Sequence, residues 1–218
     1  MFSVKEELAD LRYSIVYTEP LLDLITEKIR NSVIKKIMTS FAVNLNNIKF
    51  RNDLPSDKYI YFNKFLGETF VDVSIGVQEL SVIITRFQDK KQGFEILNKT
   101  INTIKAIKGF EIGYQKFTLS QHYSSDQDSD MFFQNLNSIT PKEFTDTLKN
   151  QGVVYHLVNE ENNCNTSLLV DSSLVFAGGV FLNAELIFHP NKLSFNEMFA
   201  FAQKKYSEIT LALGMDIK

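Results

Sequence analysis

Tryptophan is absent from this chain, cysteine occurs once, and histidine occurs three times in 218 residues. A lone Cys164 rules out an intramolecular disulfide and a four-cysteine zinc site. It lies in Asn162-Asn-Cys-Asn-Thr166, which reads as a polar loop with an incidental thiol. His122, His156 and His189 show no metal-ligand spacing and no H-E-x-x-H, so each reads as a strand-end or loop histidine. Gly178-Gly179 lacks the Lys-Ser/Thr and following helix of a phosphate loop, and no nucleophile elbow is present. No cofactor and no metal are therefore expected. No run approaches the ~18 apolar residues of a membrane span. Met1-Phe-Ser-Val-Lys-Glu-Glu lacks the apolar core of a signal peptide, which predicts a cytoplasmic protein with no membrane partner.

What is present is ordinary for a globular chain: 44% hydrophobic and 22% charged residues, enough for a sizeable core. Phe is abundant at 19. It carries no polar handle, so this apolar mass suits a core or an interface better than a hydrogen-bonding pocket. The net charge of −3 is uneven along the chain. Residues 1–110 sum to +3 and residues 111–218 to −6. The difference either orients the halves toward a partner or marks an uneven solvated surface.

One stretch occurs twice as a pattern. Val71-Asp-Val-Ser-Ile75, an apolar strand over 80–87 and a helical pattern from Phe94 to Ile107 form one copy. Val170-Asp-Ser-Ser-Leu174, a strand over 180–188 and a helical pattern from Phe195 to Ile209 form the other. Gly109 and Gly214 end them. Upstream, Tyr13–Tyr17 and Tyr114–Leu119 read as matching strands. Thr18-Glu-Pro20 and Thr140-Pro-Lys-Glu143 read as matching helix starts. The first helix should run to about Met38 with Leu22, Ile25, Ile29 and Val33 on its buried face.

Shorter strands are expected at Ile48–Phe50, Lys58–Phe62 and Val153–Val158, and a turn at Asn52–Asp57. Residues 3–12 read as a short helix or loose arm. Ser124–Asp130 reads as an exposed acidic loop. Its alternating Asp126, Asp128 and Asp130 fail the calcium-loop pattern, because Met131 and Asn137 replace the required Gly and Glu. Ser194 and Glu197 make a capping box ahead of the last helix.

The expected fold is α+β: two tandem strand-helix-strands-helix repeats, 1–110 and 111–218, forming antiparallel sheet with helices packed on one face. Phe94, Leu97, Ile101, Phe195, Met198 and Ala202 should pack against that sheet. The element order is similar to the duplicated TATA-box-binding-protein fold. That family grips DNA with a basic, phenylalanine-bearing sheet, whereas these strands are not basic, so no residues carry over. The C-terminal third, with Leu168-Leu-Val-Asp171 ahead of Phe195–Phe199, also resembles a sporadically distributed, uncharacterised bacterial family. That resemblance implies no activity.

Asp is disfavoured inside strands, which singles out Asp72 and Asp171. Alternation puts Asp72 and Ser74, and likewise Asp171 and Ser173, on the face opposite the apolar residues. Under a pseudo-twofold the two carboxylates would face each other across a groove; otherwise they solvate an open face. These four residues are the candidate binding set. The expected function is non-enzymatic binding or regulation through a protein partner or a second copy, as an accessory or neutralising factor. A small-ligand binder or enzyme, and then a nucleic-acid binder, are the alternatives.

Overall fold

The computed structural model describes residues 1–41, 46, 48–49, 60–62, 70–85, 90–104, 111–127, 129–136, 152–190 and 192–218. The fold is α+β, with mostly antiparallel strands and helices built from the apolar stripes the sequence carries. Two compact units divide the chain. The N-proximal unit takes residues 10–117 and 187–192. The C-proximal unit takes residues 1–9, 118–186 and 193–218.

In the N-proximal unit the strand order is β2 (Ile48–Lys49), β3 (Ile60–Phe62), β4 (Phe70–Ile75), β5 (Glu79–Thr85), β1 (Phe2–Tyr17) and β6 (Ile112–Ser124). Antiparallel register puts Val73 opposite Val82, and Val82 opposite Tyr13. The buried rows of Val71, Val73 and Ile75 continue through Leu80, Val82 and Ile84 to Leu11, Tyr13 and Ile15. Helices α1 (Glu27–Phe41) and α2 (Lys90–Ile104) bury Val33, Ile34, Ile37, Leu97 and Ile101. The side chain of Phe94 lies outside the described residues.

Helix α1 starts later than its sequence suggests. Leu22–Ile25 forms a 3-10 turn, closed where the Thr26 N–H and hydroxyl both donate to the Asp23 carbonyl. The Leu21 N–H donates to the Val77 carbonyl at 2.8 Å, and the α-helix begins only at Glu27, after the 3-10 turn. Leu22 and Ile25 consequently face solvent, and the buried stripe begins at Val33.

In the C-proximal unit the order is β1, β6, β9 (Val180–Phe188), β8 (Cys164–Ser172) and β7 (Val153–Asn159), with β10 (Met215–Ile217) parallel to the start of β1. Helix α4 (Phe195–Ala212) packs Phe195, Met198, Ala202, Tyr206 and Ile209 into this core. Its capping box is present as expected: Ser194 accepts from the Glu197 N–H, and Glu197 accepts from the Ser194 N–H. Gly214 ends it at a φ of 73°, a conformation that costs glycine little.

Two further expectations change here. Residues 3–12 are strand, not helix or arm, because β10 and β6 supply backbone partners that local propensity does not anticipate. The acidic loop ends early, in helix α3 (Ser129–Leu136). Its Phe132 and Phe133 are buried, and Phe132 stacks on Phe2 at 4.8 Å. Both units pair the returning strand of the hairpin beside their long opening strand, β5 on β1 and β9 on β6. The turn at 52–57, the helix start at Thr140 and the glycine end at 109 lie outside the described residues, so the tandem repeat itself stays a proposal.

Candidate protein-interaction surface

The four residues singled out by the sequence have different surroundings. In β4, Ser74 lies opposite Tyr61 on one side and Ser81 on the other, and Ser81 lies opposite Ser14. Three serines thus form a row across three strands. Alternation holds, since they point away from Val73 and Val82, but the face is not open there: Ser74 is only 4% exposed. Small side chains in a sheet are shielded by longer neighbours. Arg12 Nε donates to Ser14 Oγ at 3.3 Å, and the same guanidinium reaches Glu79 at 3.3 Å. Tyr61 donates its hydroxyl to Asp72 Oδ2 at 2.8 Å, leaving Asp72 half-buried. Among the described residues the hydroxyl oxygens of Ser74 and Ser81 have no hydrogen-bond partner.

In the C-proximal unit the same Asp-x-Ser spacing falls at the end of β8 and shapes a turn. Asp171 Oδ1 accepts the Ser172 N–H at 2.7 Å. Gly152 passes close by: a Cβ there would sit 3.1 Å from the Asp171 carboxyl carbon. Ser173 Oγ accepts two backbone N–H groups, from Val175 at 3.2 Å and Phe176 at 3.1 Å. His122 Nδ1 lies 2.9 Å from the same oxygen. A hydroxyl has one proton and two lone pairs, so with both lone pairs taken its proton goes to Nδ1. That assignment leaves the neutral His122 protonated on Nε2. Its ring lies 4.7 Å from Phe181 and meets Phe176 edge-on at 6.5 Å.

No sequence pattern links His122 to Ser173, because 51 residues separate them. By distance the pair resembles a base and a nucleophile. Its hydroxyl, however, is engaged as the acceptor that shapes the turn.

That turn carries the side chains of interest. Leu174, 91% exposed, and Val175, 55% exposed, project from the tip between β8 and β9. The tip is braced at its base by the Ser173 N–H to Gly179 carbonyl bond at 2.9 Å. Gly178 takes a φ of 68°. Gly179 is required for another reason: a Cβ there would lie 2.4 Å from the Tyr123 carbonyl oxygen. Beside the tip starts β7, where Val153 pairs with Val170 and both Val154 and Val158 are exposed.

Cys164 differs from its expected loop setting. It is the first residue of β8, and its thiol is buried. Burial pushes its pKa up to about 11, partly offset by a hydrogen bond with Thr166 and the charge of Lys205. Such a thiol is unreactive at neutral pH. On the buried side, Tyr206, Tyr123, Gln121 and Glu6 form a hydrogen-bonded chain. Burial raises the phenol pKa of Tyr123 and of Tyr206 well above the usual range.

Among the described residues no group of three or more His, Cys, Asp or Glu side chains is placed to hold a metal ion. Among them, too, no helix is long and apolar enough to cross a membrane. Compared with known proteins, the chain matches no family model and no curated sequence.

Proposed function

We propose that this protein is a non-enzymatic binding or regulatory factor that acts through protein–protein contacts made by the C-proximal unit. The observation that carries this reading is the hairpin tip. Leu174 and Val175 are adjacent, exposed, and held on a turn fixed by four hydrogen bonds made by Ser173, one of them with His122. Exposed apolar side chains on a rigid support lose little entropy on docking, which makes them efficient anchors. The net −6 of residues 111–218 favours a partner whose rim is basic.

The test is affinity capture from the native cell with the wild type and with a Leu174→Asp/Val175→Asp variant. A partner held by the wild type and lost by the folded variant is the expected result. Equal capture by both rejects the tip. A small-ligand reading has one observation behind it. Phe2, Met131, Phe132, Leu136 and Leu213 line a mainly apolar groove of ≈ 450 Å³ in the same unit. A ligand that raises Tm in the wild type but not in Met131→Asp would favour that reading.

A further inference from the structure

We infer that β7 is an edge through which two copies of this chain pair, strand to strand and antiparallel. This deepens the protein-contact reading, on which it rests, by naming one partner. It uses a different element from the hairpin tip.

Strand β7 pairs on one side with β8, from Val153↔Val170 to Asn159↔Cys164. An antiparallel strand spends half its backbone groups on each neighbour. Among the described residues, no backbone bond outside that ladder reaches Val153–Val158, so the other half points outward. Native edges are normally blunted by charge, proline or a bulge. Val153-Val-Tyr-His-Leu-Val-Asn159 has no proline and no Lys, Arg, Asp or Glu. Instead it exposes Val154, Leu157 and Val158, the last at 73%. Free backbone groups of this kind are satisfied by another strand, and the side chains select which one.

The side-chain pattern reads the same in both directions. Pairing about His156 places Val154 opposite Val158 of the second copy and Tyr155 opposite Leu157. Val154, His156 and Val158 share one face, and Tyr155 and Leu157 the other. Every apolar residue between the ends then meets an apolar residue, and no like charges are opposed. Glu160, just past the strand, falls opposite residue 152, which is glycine. A strand with charged or unevenly spaced polar residues would lack this self-match. One seven-residue strand pair is smaller than the ~1,200 Å² of a stable interface, so the dimer is weak and concentration-dependent.

Sedimentation of the full chain, over the roughly 1–500 µM in which so small an interface would form, reads the inference directly. The expected mass rises with concentration from the 25.0 kDa of one chain toward twice that value. A Val154→Lys/Val158→Lys variant puts lysine opposite lysine at both pairs, and should raise the dissociation constant at least about tenfold. Circular dichroism establishes that it is folded. Independently, His156→Cys should form a disulfide-linked dimer on mild oxidation, because directly opposed Cβ atoms lie about 4.5–5.5 Å apart. The native Cys164 is buried and does not compete. Val153→Cys, which would face Asn159, should give no cross-link. A chain monomeric throughout, with no cross-link at 156, overturns the inference. So does a dimer that ignores both lysines and does not cross-link there, although protein contact as such would then survive. Loss of a captured partner in the Leu174→Asp/Val175→Asp variant, with dimerisation intact, leaves the inference standing and separates the two surfaces.

Discussion

Asp72-Val-Ser74 in one unit and Asp171-Ser-Ser173 in the other share their spacing and their strand neighbours in sequence, yet they do different work. In the N-proximal unit the pattern lies inside β4. Asp72 is half-buried and accepts from the Tyr61 hydroxyl, and Ser74 is buried within a row of serines. In the C-proximal unit the pattern overruns the end of β8 at Ser172, and its hydroxyl organises a turn. The lesson is positional. A serine in mid-strand has its backbone already paired and its hydroxyl left over. A serine one residue past the strand finds unpaired N–H groups within reach.

The largest effects should come from the two cores. Leu97 and Leu182 are each fully buried, one in each unit. Replacing either by Ala should lower unfolding free energy by about 2–5 kcal/mol in a urea titration, the cost of a cavity that only partly closes. A midpoint unchanged in either variant would show that its unit lacks the core described. Next comes the turn. Gly179→Ala would place a methyl against the Tyr123 carbonyl, a backbone atom with little freedom to retreat. Overpacking of this kind costs about 1–3 kcal/mol, and thermal melting would read it.

The two serines sharpen the contrast further. Ser173→Ala strips the Val175 and Phe176 N–H groups and His122 of their shared partner, and should cost about 1–3 kcal/mol. Ser81→Ala removes a buried hydroxyl without a described partner, and should be neutral or slightly stabilising. Equal effects would erase the distinction between the two sites.

The smallest effect at ordinary pH, and one common to both units, is alkaline. Burial raises the pKa of Tyr13 and Tyr17 in one unit and of Tyr123 and Tyr206 in the other, and holds the Cys164 thiol at about 11. Each group is favoured in its protonated form by folding. Stability from these groups is therefore level below about pH 9 and falls as pH rises through their unfolded pKa values toward the folded ones. Ultraviolet titration should show four of the eight tyrosines ionising late and together with unfolding. Four that ionise near pH 10 without unfolding would contradict their burial.

Periodic apolar patterns over long segments were readable in advance: α4 with its capping box, β9, β7, and the buried set Leu97, Ile101, Phe195, Met198 and Ala202 all lie where the sequence places them, whereas β8 runs Cys164–Ser172 and not 170–174. For Asp72 and Ser74 of the candidate binding set, the sequence set the face but not the exposure, and Ser173 lies past the strand altogether. Alternation is a local property of a strand, whereas Ser74 is buried between Tyr61 and Ser81, residues that other strands place opposite it.

Local chemistry along the chain sets the inventory and its periodicity: α+β composition, one apolar side to each strand of the β4–β5 hairpin, glycine where Gly178 and Gly214 take positive φ, and an uncharged β7. Long-range pairing and packing set the rest. Residues 2–12 became strand because β10 and β6 offer them backbone partners, and α3 formed where Phe132 can stack on Phe2. His122 met Ser173 because β6 and β9 are neighbours in the sheet, and β9 returns from the turn that Ser173 opens. Local propensity spans about 1 kcal/mol per residue, and a long-range backbone ladder or an aromatic contact outweighs it. For that reason the elements with periodic faces could be read from the chain alone, and those held by distant partners could not.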